Sequence, residues 1–357
     1  MYILIRRRFS LVACLALICL GVSACGGSAA PTQSSATTPT QNMTLKVCQG
    51  SNSITFFPFY VAQQQGYFKA QKLDIANPAI LQVGSKVAAA VEAGSCQVGD
   101  GVITDAFNWS KVDKSARIIG AFINAYTVDI VVSKKFEQET HVSATSALAD
   151  RIKALQGKTI GITGPGSATQ GLLTYLFKQE GMNAAKDAKQ VSLGANNTAA
   201  LGALKSGRVD ALSFLLPVGQ AAEAQGIGDI LISPMRGDIP SLVGDVHGVI
   251  YTKQSTIDAN LRAIAAYIRA IGQAEAFIQS NPTQAKVLLN SYLGLGQAVT
   301  DAIYTAAAPD IAKNPQISQA AYTVAAQFHL KAGLISVIPP FTTLVATTTI
   351  DSALASS

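Results

Sequence analysis

Gly164-Pro165-Gly166-Ser167-Ala168-Thr169 sets two glycines and two hydroxyls where the strand-like run Thr159–Thr163 gives way to a helical pattern reaching about Glu180. Glycine lets the backbone approach a ligand closely. The first N–H groups of a helix have no carbonyl partner and can point at an anion. Ser167 and Thr169 add hydroxyl donors, and Ser167 also suits the N-cap position; the two roles are compatible. The helix dipole contributes only about 0.3–2 kcal/mol. Micromolar affinity needs about 8 kcal/mol, so hydrogen bonds and apolar enclosure must supply the remainder. The loop contains no Lys or Arg. Gly166, Ser167 and Thr169 are therefore candidate contacts in a neutral, donor-rich cradle.

Other polar residues stand at strand ends. Ser51, Asn52 and Ser53 follow the first strand, Thr104 and Asp105 follow the strand end Val102-Ile103, and Asn124 and Tyr126 precede Val128–Val132. Each also fits ordinary turn chemistry. His141, His247 and His329 are the only histidines, and none has a Cys, Glu or second His at ligand or triad spacing. No metal, cofactor or catalysis is expected on this ground.

The elements that would hold these residues alternate between strand and helix. Thr44–Cys48 reads as a strand and a helix opens near Pro58, where a missing N–H does no harm. Leu73–Ile75 and Ile80–Val83 are extended, Lys86–Ala93 is a helix, and Gln97–Ile103 is a strand. The same grammar returns later: Val191–Leu193, then the helix Thr198–Lys205, then Gly207-Arg208-Val209-Asp210-Ala211 entering another strand. Such alternation predicts an α/β fold with largely parallel sheets and ligands beyond the carboxyl ends of the strands. Val128–Val132 and Val246–Tyr251 are read as a pair of crossing strands between two lobes of similar plan. The last hundred residues are largely helical: Ile257–Ser280, Thr283–Leu293, Gln297–Ala308 and Ile317–Ala332, with Leu261, Ile264, Ile268 and Ile271 as a core stripe.

The amino terminus reads as an address and a tether. Arg6-Arg7-Arg8 precedes twelve apolar residues, Leu11 to Val22, too few to span a bilayer and fitting for a signal peptide over residues 1–24. Val22-Ser23-Ala24-Cys25 resembles a bacterial lipobox, which implies cleavage before Cys25, lipidation of its sulfur and anchoring at the membrane. Residues 26–42 carry no charge and are Ser/Thr/Gln/Ala/Pro-rich, a flexible linker reaching roughly 20–25 Å. The chain has 357 residues, 49% of them hydrophobic and 13% charged, with net charge +6. That length supports two domains, and the apolar content excludes general disorder. Without the leader, 24 basic residues face 21 acidic ones, and a nucleic-acid role loses its electrostatic support. Cys14 and Cys19 leave with the leader. Cys48 and Cys96 remain, either as one disulfide or as two buried thiols.

Pro58-Phe59-Tyr60-Val61-Ala62 with Gly66-Tyr67-Phe68, then Leu155-Gln156-Gly157-Lys158-Thr159-Ile160-Gly161-Ile162, then Gly207-Arg208-Val209-Asp210-Ala211 with Pro217, follow one another over most of the chain. In order and spacing they resemble ABC-transporter substrate-binding proteins of the nitrate/sulfonate/taurine type, also called NMT1-like. The resemblance implies a two-lobed, type II periplasmic-binding-protein-like fold, with lobe 1 from 43–127 and 247–345 and lobe 2 from 128–246. It implies a small organic anion clamped between the lobes, with its acidic head on the Gly164–Thr169 loop, and delivery to a permease powered by a cytoplasmic ATPase. His247, in a crossing strand near that cleft, joins the candidate contacts. The protein is expected to be monomeric, extracytoplasmic and not an enzyme, although some enzymes of pyrimidine-forming type share the plan. One departure matters. Many relatives carry Trp and an acid shortly before the proline, where this chain reads Phe214-Leu215-Leu216-Pro217. Without that acid a zwitterion is disfavoured unless Asp105 replaces it, and an apolar tail against Phe214, Leu215 and Phe56-Phe57 fits better. Those aromatics are also candidates for plain core.

Overall fold

A computed structural model describes residues 42–356. The leader, Cys25 and the linker as far as residue 41 lie outside the described residues. β1 (Val47–Gln49), β2 (Ala79–Ile80), β3 (Val98–Val102) and β4 (Ala116–Ile123) open one sheet. β5 (Val128–Ser133), β6 (Thr159–Ile162), β7 (Lys189–Ser192), β8 (Ala211–Leu215) and β9 (Gly228–Ile232) form a second, and β10 (Gly248–Lys253) returns to the first. The strand orders are β2-β1-β3-β10-β4 and β9-β5-β8-β6-β7. In each sheet one strand runs against the others: β10, antiparallel to β3 and β4, and β5, antiparallel to β8 and β9. These are the two strands entered directly after the chain crosses between sheets, at 124–127 and 245–247. The crossing segments touch, since His247 N–H donates to the Ile123 carbonyl (3.0 Å) and the His247 carbonyl accepts from Ile103 (2.8 Å).

Strand periodicity sorts the apolar residues to opposite faces. Ile119 and Ile250 enter one core of the first sheet while Ile118 and Val249 enter the other. Val132 and Val131 divide in the same way in the second sheet. The helices that serve the site are α1 (Phe57–Gln64), α2 (Gly84–Glu92), α3 (Ile103–Val112), α4 (Ala168–Gln179), α5 (Asn197–Lys205), α6 (Gln254–Ser280), α7 (Pro282–Leu293) and α8 (Gln319–Ala332). Pro58 sits in the first turn of α1, where proline is tolerated. α6 departs from the expected stripe. Ile264, Ile268 and Ile271 are buried, but Leu261 is 55% exposed, because Asn260 (φ −131°) breaks the helix just before it.

α3 was absent from the sequence expectation. β3 runs into it without a loop, so Thr104 and Asp105 occupy the first helical turn. Cys48 of β1 and Cys96, just before β3, form a disulfide with Cα atoms 5.9 Å apart, an ordinary separation for one. α8 touches both halves. Its His329 Nε2 lies 2.7 Å from Thr104 Oγ1 and its ring packs on Phe107, while Phe328 packs on Tyr126 and Tyr175 in the second sheet's core. A final helix, Thr347–Ala355, continues past residue 345 and packs on α6.

Candidate functional site

The carboxyl ends of the parallel strands of both sheets face one small cavity. Gly50 and Ser51 follow β1, Gln82 and Gly84 follow β2, and Gly101, Val102 and Asp105 mark the end of β3. From the second sheet come Thr163, Ser167, Ala168 and Thr169 after β6, Ala195 after β7 and Leu215 at the end of β8. Phe56 completes the lining, and no Lys, Arg, His or Cys takes part. The space is about 30 Å³, enough for one compact group.

On the second-sheet side the hydroxyls are already engaged. Ser167 caps α4, accepting from Gln170 N–H, and gives its own proton to the Gly164 carbonyl (2.6 Å). Thr169 Oγ1 accepts from Thr163 N–H (3.0 Å) and lies 2.8 Å from Ser167 Oγ and 3.0 Å from Thr163 Oγ1. A chain of donation Thr163 to Thr169 to Ser167 to Gly164 uses every proton. Ser213 Oγ fixes the Thr169 carbonyl from β8 (2.7 Å). The donors left for a guest are the Ala168 and Thr169 N–H groups, which have no intrahelical carbonyl to bond.

The first-sheet side is the opposite. Ser51 Oγ and Asp105 Oδ1 are buried and have no hydrogen-bond partner. Asp105 Oδ2 accepts from Val102 N–H (3.1 Å). The carboxyl is seated against two glycines. A Cβ on Gly84 would fall 2.1 Å from Oδ1, and one on Gly101 would fall 2.9 Å from Oδ2. Burial pushes the Asp105 carboxyl up to about 7, with the Val102 N–H pulling the other way. Behind it, burial pushes Asp100 up to about 8 although Tyr267 donates to both its oxygens (2.8 Å).

The two sides are latched together. Ala195 N–H donates to the Gln82 carbonyl (2.8 Å), and Asn108 Nδ2 donates to the Gly166 carbonyl (3.0 Å). Gln82 has φ +63°, a conformation that non-glycine residues adopt at a cost and that clusters at functional sites. Gln82 and Ala195 also line an outer groove of about 600 Å³ with Asn52, Asn196, Asn197, Lys205, Gln225 and Tyr292. The inner cavity thus adjoins a polar vestibule.

Of the residues singled out by sequence, Ser51, Phe56, Asp105, Ser167, Thr169 and Leu215 line the cavity, and Asn52 lines the groove. The others do not. Thr104 is held by His329 and Tyr126 donates to the Ala168 carbonyl (2.8 Å). Asn124 N–H donates to the Asp310 carbonyl (2.7 Å). Gly166 (φ +72°) gives its N–H to Gln170 Oε1, so it shapes the turn without facing the space. Phe214 is buried in the second sheet's outer core, since its neighbour Leu215 takes the inward position on the strand. His247 is fully buried, lowered to about 3 by burial with His329 adding to the effect, and packs on Tyr126 with both ring nitrogens unpartnered. Gly50, Gln82, Gly84, Gly101, Val102, Thr163 and Ala195 were missed. Only the βα-loop rule could have pointed to them, as positions following strands.

The NMT1-like family model matches residues 51–291, a stretch that contains every residue lining the cavity except Gly50. The chain belongs to the NMT1-like family. Solved structures similar to this NMT1-like chain include a protein from Bordetella bronchiseptica RB50, at 24% identity over 88% of this chain and 98% of that one, with TM-score 0.76. The alkanesulfonate-binding protein SsuA from Xanthomonas axonopodis pv. citri bound to MOPS is 18% identical over 86% and 97%, with TM-score 0.65. The periplasmic nitrate-binding protein NrtA from Synechocystis PCC 6803 is 12% identical over 88% and 89%, with TM-score 0.67. These likenesses show the two-lobed periplasmic-binding-protein-like fold. No curated protein matches the chain.

Proposed function

We propose that this chain is the substrate-binding component of an ABC importer, taking up a small organic anion between its two lobes outside the cytoplasmic membrane. In this reading residues 1–24 direct export, lipid on Cys25 holds the protein at the membrane, and a permease with a cytoplasmic ATPase receives the cargo. The lobes are residues 43–127 with 247–345 and residues 128–246, and the protein acts as a monomer. The observation that carries the reading is the cavity itself. It lies where ligands of such sheets bind, with the Ala168 and Thr169 N–H groups on one side and the unpartnered Ser51 hydroxyl on the other. A guest bridging both sides favours the closed form by its differential affinity for it. The family and the sulfonate- and nitrate-binding neighbours support the same reading.

The test is a thermal-shift screen of organic sulfonates, carboxylates, phosphonates and pyrimidines, followed by calorimetry on the hits. At least one compound is expected to bind with micromolar affinity or better, and Ser51→Ala is expected to weaken it. A screen without a single stabilising compound would overturn the reading. One observation favours an enzyme instead: a cavity carboxyl near 7 could move a proton. Steady turnover of a bound compound, lost in Asp105→Asn, would establish that alternative.

A further inference from the structure

The cavity, taken as the ligand site of the proposed function, also restricts the chemistry of the group that fills it. The α4 side offers donors only, the Ala168 and Thr169 N–H groups. The β3 side offers an acceptor, Asp105, 2% exposed, with Oδ1 unpartnered. No cation answers that carboxylate. The cavity lining contains none, and the titratable groups around Asp105 are Asp100 and the phenols of Tyr251 and Tyr126. Burial raises the Asp105 carboxyl to about 7, and its seat beside Gly84, at the start of α2, pulls the other way, so it is the accepting carboxylate from about neutral pH upward.

Donors and acceptor share a space of about 30 Å³, so a single group must meet both. Nitrate and sulfonate bring acceptors alone and would set a lone pair against Asp105 Oδ1. An oxyanion that keeps one proton satisfies both sides. Its bare oxygens accept from the α4 N–H groups, and its hydroxyl donates to the carboxylate. The geometry points to a proton-bearing oxyanion head, such as the monoanion of a phosphonate or phosphate monoester, as the ligand class, with Asp105 as the residue that selects it. The remainder of the ligand leaves past Gln82 and Ala195 into the amide-lined groove.

The test is calorimetry on the full folded protein with two isosteres, ethylphosphonate and ethanesulfonate, at about neutral pH, where the phosphonate still holds one proton and Asp105 is ionised in good part. 2-Aminoethanesulfonate serves as a third probe. Ethylphosphonate is expected to bind at least about tenfold tighter than ethanesulfonate. Asp105→Asn, which can donate as well as accept, is expected to bring the ratio close to one. Equal or tighter binding of ethanesulfonate overturns the inference and leaves the proposed function standing. So does a ratio that Asp105→Asn leaves unchanged. Tightest binding of 2-aminoethanesulfonate also overturns it, in favour of a separate ammonium on Asp105. If none of the three binds while other compounds in the screen do, the inference falls alone; if nothing binds, both fall. Should Asp105→Asn fail to fold by circular dichroism, the wild type still decides. Its preference must vanish when the pH is raised past the second ionisation of the phosphonate, and a preference that persists overturns the inference.

Discussion

The two walls of the cavity are built on opposite principles. The α4 wall spends its hydroxyls on itself, through Thr163, Thr169, Ser167 and the Gly164 carbonyl, and offers only backbone donors. The β1–β3 wall keeps Ser51 Oγ and Asp105 Oδ1 unsatisfied in a buried place. A buried polar group without a partner costs about 1–3 kcal/mol. The first wall is therefore preorganised, and the second is held at a disadvantage that a guest, bound as proposed, would relieve. Similar residue types serve stability on one side and, in the proposed function, recognition on the other.

Substitutions should separate the walls. The largest effect is expected from Thr169→Ala, which strands the buried Thr163 N–H and removes a partner of Ser167. Stability should fall by about 1–3 kcal/mol in urea denaturation, with ligand affinity falling too, and Thr169→Ser should restore both. Gly84→Ala attacks the other wall by crowding Asp105 Oδ1. A loss of about 1–3 kcal/mol is expected from the forced shift, and an unchanged midpoint would show that the carboxyl has room to move.

A pH series compares the lobes more gently. Asp100 near 8 and Asp105 near 7 in the first sheet, and Asp129 near 7 in the second, are all raised by burial. Each contributes stability that is full below the ordinary carboxylate value and is lost as pH rises through 7 to 8. The urea midpoint should therefore decline from mildly acidic to mildly alkaline pH, and Asp129→Asn should flatten only part of the decline. A midpoint that rises over that range would contradict the burial of these acids. The smallest effect belongs to Ser51→Ala. Stability should change by less than about 0.5 kcal/mol, since no bond is lost, while affinity drops by roughly two- to tenfold.

Much of the frame was legible because it rests on local rules. Strand–helix alternation gave the α/β fold, and the Gly164–Ser167 turn with its cap gave the start of α4 to within a residue. Asp105 was singled out, but as a residue after a strand, because nothing in Val102-Ile103-Thr104 marks a strand passing directly into a helix. Gln82 was invisible. Its left-handed backbone has no signature in a glutamine, and its partner Ala195 is more than a hundred residues away. Tyr126 and His247 were placed near the crossing correctly, yet their side chains turn away from the cavity, which only the packed structure shows.

α8 has a mechanical consequence. With the two crossing segments it makes a third tether, through Thr104 and Phe107 on one side and Tyr126 and Tyr175 on the other. Two threads permit a free swing; three make a stiff spine along which the halves peel apart. The opposing margin carries the Gln82–Ala195 clasp and a long, 3.5 Å contact between Asn197 and Asn52, and it should part first. Spin labels across that margin should report the stroke of the machine, while labels astride α8 stay nearly still.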